Sequence, residues 1–200
     1  MKLYGHKSLR NIAFGTLALA VGLAQAHTGH GTSGFTEGLI HPFGLDHLLA
    51  MLAVGIWSVS ALPAAKVWWG PCAFMLTLCA SAALGATGLT LPFLEYLISL
   101  SVVVFGAMLL LSRRKMPIAL GLGMVVLAAS LHGLAHGAET PPAGFASYAA
   151  GFLLTTGALH FGGVITGLCI RRFLARSASW VIGGLGAAFG GTGLYLLSQL

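Results

Sequence analysis

Charge is scarce in this chain. Asp, Glu, Lys and Arg make up 7% of its 200 residues, and only four of them are acidic. So little charge excludes a solvated globular surface, and a mean hydropathy of +0.92 points instead to a domain set against lipid. Cysteine is scarcer still, with three residues. Cys72, Cys79 and Cys169 lie in apolar runs and form no Cys-x-x-Cys, so they read as small hydrophobes rather than a disulfide framework or a thiolate cage. No P-loop is present, which excludes intrinsic nucleotide hydrolysis, and the zinc-hydrolase pattern His-Glu-x-x-His is missing. The net charge of +6 comes as short basic clusters between apolar runs. Nucleic acid needs a continuous basic surface and is excluded as a partner.

What is present is a succession of apolar segments. Lys2, Lys7 and Arg10 precede an apolar stretch over residues 12–23 that is too short to span a bilayer, and Ala24-Gln25-Ala26 has the small-x-small form of a cleavage site. The expected organisation is a cleaved signal peptide over 1–26, a periplasmic N-terminal tail over 27–39 and a six-helix transmembrane domain over 40–200. The six segments run over about 40–62, 67–89, 92–111, 116–136, 145–169 and 179–198, each near the twenty residues that cross a hydrocarbon core. The fold class is all-α, a polytopic membrane bundle. With the mature N-terminus outside, Lys66, Arg113, Arg114, Lys115, Arg171, Arg172 and Arg176 all fall in cytoplasmic loops, as the positive-inside rule requires. Trp68, Trp69 and Trp180 sit at cytoplasmic helix starts as interfacial anchors. Gly163, Gly167, Gly183, Gly186 and Gly190 are expected to let helices approach closely.

The ionisable residues then segregate to the outer side. His132, His136 and Glu139 share one helix face at the outer end of the fourth segment. His41, Asp46 and His47 lie at the outer end of the first, with Glu37 nearby, and Glu95 opens the third. His160 is deeper, about mid-membrane, with Thr155 and Thr156 a turn away. His27 and His30 stand in the tail, where a mature N-terminal His27 would offer both amine and imidazole to a captured ion. Ionisable groups inside membranes mark ion pathways, and imidazole with carboxylate suits nickel, cobalt, zinc or iron rather than magnesium or calcium. His41 and His47 are about 120° apart on a regular helix, so one shared ion would require local unwinding, which Gly44 can permit. Asp46 is either a ligand itself or the partner that fixes the tautomer of a ligating imidazole.

Two motifs carry a family resemblance. His132-Gly-Leu-Ala-His136-Gly-Ala-Glu139 is similar to the His-Gly-x-Ala/Val-His-Gly-x-Glu pattern of the HupE/UreJ family, and His41-Pro42…Asp46-His47 with the run after it resembles that family's first-helix signature. Ala158-Leu159-His160, the signal peptide and the six-helix layout extend the likeness over essentially the whole chain. These are small membrane proteins associated with hydrogenase and urease gene clusters and regarded as nickel permeases. The resemblance implies a protein of the bacterial inner membrane that is no enzyme and takes up Ni2+, with Co2+ or Zn2+ as other candidates, for metalloenzyme maturation. The metal residues expected are His41, Asp46, His47, His132, His136 and Glu139, with His160 as a deeper relay, and His27, from its place at the mature N-terminus, as a capture group. The chain departs from the family in having four residues between His41 and Asp46 where five are expected. Other readings are a metal-binding membrane protein without transport, a membrane haem protein using His47 with His132 or His160 as axial ligands, and a hydrolase with Glu139 as base.

Overall fold

A computed structural model of the chain describes residues 34–112, 114, 116–139 and 144–200. The signal peptide, His27, His30, Arg113, Lys115 and the Pro141-Pro142 pair lie outside the described residues. Among the described residues the secondary structure is helical, with no strand. Helix α1 covers Phe35–Ile40, a 3₁₀ turn covers His41–Phe43, and α2 covers Leu45–Ala61. After a second 3₁₀ turn at Ala64–Lys66 come α3 (Trp69–Gly85), α4 (Leu94–Leu110), α5 (Ile118–Glu139), α6 (Phe145–Phe173) and α7 (Ala178–Leu197). By length and composition, four helical stretches can cross a membrane: Ala64–Gly85, Ile118–Glu139, Phe145–Phe173 and Ala178–Leu197. The broken pair Phe35–Phe43 and Leu45–Ala61 makes a fifth if taken as one span. Helix α4, with 17 residues, is apolar but shorter, at about 26 Å for 1.5 Å per residue.

The first apolar segment is not one continuous helix. Its two parts meet at an angle of 74°, and the break falls at Gly44, whose ψ of 137° is extended. The cause is local: Pro42 has no N–H to give to a helix ladder, and Gly44 ends one element and starts the next. Residues 35–39, at the end of the segment read as a tail, belong to α1, which lies on α6 and receives the Thr155 hydroxyl on the Leu39 carbonyl at 2.9 Å.

Helix α2 is the centre. Twelve of its 17 residues are buried, as expected of a helix apolar on every side. The closest packing joins helices that are not neighbours in sequence: α2 with α6, α3 with α5, and α4 with α7. Small residues allow it. A β-carbon on Gly55 would stand 2.6 Å from the His160 carbonyl oxygen, and one on Gly106 would stand 2.6 Å from Cα of Gly190. Gly163, Gly167, Gly186 and Gly190 therefore do face partner helices, whereas Gly183 meets only the end of Leu110 at ordinary distance.

These contacts also fix direction. Leu52 meets Gly163 and Val59 meets Arg171, so α2 and α6 run parallel. Leu78 meets Gly133 and Gly85 meets Ala138, so α3 and α5 run parallel too. Ser99 meets Gly193 and Leu110 meets Gly186, which makes α4 and α7 antiparallel. The outcome is an imidazole-rich end, with His41, Asp46, His47, His132, His136 and Glu139, and an opposite end holding Lys66, Arg171 and Arg172.

Candidate metal centre

The break at Gly44 turns His41 back over the start of α2. Its ring lies 6.2 Å from that of His47, centroid to centroid, although a regular helix would set the two about 120° apart. The unwinding that a shared ion would need is therefore already present. From the opposite wall, α5 contributes His132 and His136 one turn apart on its buried face.

The rings form a continuous line. His41 contacts His136 at 4.7 Å, His136 contacts His47 at 4.3 Å, and His47 contacts His132 at 4.8 Å. At the far end of the line from His132, Nε2 of His41 stands 3.8 Å from Oε2 of Glu139. Ligating atoms of His41, His136 and Glu139 all lie within 4.8 Å of one another. Donors sharing one tetrahedral ion at about 2.0–2.1 Å are roughly 3.3 Å apart, so small side-chain shifts would close this set on a cation. His160 stands apart from the cluster. The ring of Phe74 lies between it and His132, at 4.9 Å from His160 and 5.7 Å from His132.

The hydrogen bonds orient the imidazoles in a common sense. Nδ1 of His132 donates to the Ala128 carbonyl at 2.9 Å, and Nδ1 of His160 donates to the Thr156 carbonyl at 2.8 Å. Nδ1 of His47 donates to Oδ1 of Asp46 at 2.7 Å, and the same oxygen accepts the His47 backbone N–H at 2.8 Å. Asp46 sits in the first turn of α2, where a carboxylate also meets the positive end of the helix dipole. Carbonyl and carboxylate oxygens only accept, so Nδ1 carries the proton and the Nε2 lone pair is left for something else. Nε2 of His47, His132 and His160 is buried with no hydrogen-bond partner. Leaving a buried polar atom unmade costs about 1–3 kcal/mol. Three such atoms along one line suit a ligand that arrives from outside.

Three aromatic residues of this site carried no sequence signal of their own chemistry. Phe152 packs on His136 at 4.4 Å and on His41 at 5.9 Å, Tyr148 stands 5.8 Å from His41, and Phe74 divides the line. Their walls keep water from the rings and hold them in place. Spacing could have found two of them: Tyr148, Phe152, Thr156 and His160 recur every fourth residue and form one buried stripe of α6. Of the remaining acidic residues, Glu95 lines, with Glu139, Thr90, Phe93 and Ala138, a cavity of about 450 Å³ at the imidazole-rich end. Direct contact between the His47 and His132 rings leaves no gap for a porphyrin between that pair of axial candidates.

A family model described as HupE / UreJ protein matches residues 15–196. Protein HupE of Rhizobium leguminosarum bv. viciae is 40% identical over 174 residues, which cover 83% of this chain and 89% of that protein. No solved structure matches.

Proposed function

The chain belongs to the HupE/UreJ family, and on that premise we propose that it is a permease that carries a divalent transition-metal ion, nickel first among them, into a bacterial cell to supply hydrogenase or urease maturation. In this reading the protein crosses the inner membrane six times, with a periplasmic N-terminus after removal of residues 1–26. His41, His136 and Glu139 take the ion at the mouth. His47 and His132 receive it next, Asp46 orients His47, His160 is the deeper relay, and His27 is a capture group on the tail.

The observation that carries the reading is the line of imidazoles with Nε2 of His47 and His132 buried and unpartnered. Nitrogen with some carboxylate oxygen suits nickel, cobalt and zinc, and a mixed set binds loosely enough for exchange where a closed thiolate cage would not. The chain has no nucleotide motif, so inward movement draws on the membrane potential or on trapping inside the cell. A doubly charged ion moving inward gains about 4.6 kcal/mol per 100 mV.

The test is uptake of radioactive nickel into proteoliposomes, with cobalt, zinc and iron as competitors and with and without an imposed potential. Nickel accumulation blocked first by unlabelled nickel is the expected result. Binding without accumulation would leave a metal-holding protein and remove the permease. A second measurement addresses Asp46. Asp46→Asn keeps the volume and loses the charged acceptor, so nickel affinity measured by titration calorimetry should fall about 10- to 100-fold, the range seen when such orienting partners are lost. Affinity equal to that of the parent protein would detach Asp46 from the site.

A further inference from the structure

Beneath His160 the bundle is closed by two devices that the binding site does not use. Val164 lies one turn further along α6, and with Val59 of α2 and Val67 of the α2–α3 connection it forms a buried apolar cluster separate from the main core. Beside it, Nη1 of Arg171 reaches from α6 and donates to the Val59 carbonyl at 2.7 Å. That carbonyl has no helical donor of its own: the residue four positions on is Pro63, which lacks an N–H. Arg171 thus ties the end of α6 to the end of α2 and leaves a fixed positive charge at the inner end.

A polar atom waits just above this closure. Ser58 Oγ is fully buried with no hydrogen-bond partner, and it faces Gly70 of α3. Gly70 is one turn before Phe74, whose ring touches His160. Thr156 Oγ1, one turn above His160, is likewise buried and unpartnered. Unpaired polar atoms therefore continue along the axis from the imidazoles to Ser58 and stop at the valines.

We propose that the ion path continues from His160 past Phe74 to Ser58 and is shut there by an inner gate made of Val59, Val67, Val164 and the Arg171–Val59 tie. The apolar cluster offers a cation no donor, and the guanidinium, always charged, adds a like charge at the same end of the path. Release to the inner side requires Arg171 to let go of the Val59 carbonyl, so that α6 and α2 part at that end. The structure is then the form open to the imidazole-rich end and closed at the basic end. The inference rests on the permease reading for its purpose, but its test requires no metal.

The experiment is thiol labelling of full-length protein in inside-out vesicles, using Ser58→Cys in a background where Cys72, Cys79 and Cys169 are alanine. A charged, membrane-impermeant reagent should modify Cys at position 58 slowly while Arg171 is present. Adding Arg171→Gln removes a charge-assisted bond and should speed labelling about tenfold or more, while Arg171→Lys keeps the slow rate. Equal rates with and without Arg171→Gln would overturn the gate. Should Arg171→Gln not be recovered as folded protein on size exclusion, Val164→Ala thins the apolar seal and leaves the charge in place; faster labelling supports the gate and an unchanged rate overturns it. Labelling as expected in a protein that accumulates no nickel would keep the gate and discard the permease.

Discussion

Alanine in place of His132 should abolish the proposed nickel accumulation and leave a protein that still assembles in the membrane. His132 is the last ring of the line, in contact with His47 at 4.8 Å and with Phe74 at 5.7 Å, and it is fully buried. Removing it takes away the donor that links the cluster to the ring beside His160. It also opens a cavity, and truncation of a large buried side chain costs about 2–5 kcal/mol, so reduced stability could imitate lost binding. His132→Gln separates the two. Its amide fills most of the volume and can still donate to the Ala128 carbonyl, but amide oxygen is a poor ligand for nickel beside imidazole. Both variants should lose uptake, and only the alanine variant should show a lowered melting temperature. Parental uptake by either one would remove His132 from the path.

Gly55→Leu should be strongly damaging although it lies outside the imidazole cluster. A β-carbon there meets the His160 carbonyl oxygen and the Val164 amide nitrogen, each at 2.6 Å, and neither is the free end of a flexible side chain. The helices themselves must separate. Overpacking a filled core costs about 1–3 kcal/mol or more, and the loss here falls on the parallel α2–α6 pair, at the helix turn that carries His160. Thermal unfolding followed by size exclusion in detergent should show a midpoint several degrees lower, with nickel uptake lost in the protein that remains folded. A stable, active Gly55→Leu protein would contradict the close approach of α2 and α6.

Much of this arrangement could be read from residue order alone. The apolar segments, the gathering of histidine and carboxylate at one end, and the placement of basic residues at the other all follow from hydropathy and spacing, because lipid imposes those patterns on any spanning chain. His132, His136 and Glu139 were legible as a set because a helix repeats every 3.6 residues. Three things were not. The direction of the chain at His41 depended on a single extended torsion at Gly44, and sequence could only say that glycine permits one. Phe74 looks like any core aromatic until the partner helix is known, and Tyr148 and Phe152 show only a spacing shared with His160. The choice of partners, α2 with α6 and α3 with α5, lies in the fit of one glycine surface to another, which no period in either strand of sequence encodes.

That pairing has a consequence for how the protein is made. Helix α2 leaves the ribosome early, yet the surface that covers it belongs to α6, whose first residue comes 84 positions after Ala61. At roughly 5–20 residues per second, synthesis alone separates the two by about 4 to 17 s. During that interval the glycine notch at Gly55 lacks the α6 backbone that fills it, and His47 gains its His132 neighbour only when α5 follows. Nascent chains halted before residue 145 should therefore be more readily cleaved by proteases than the full-length protein.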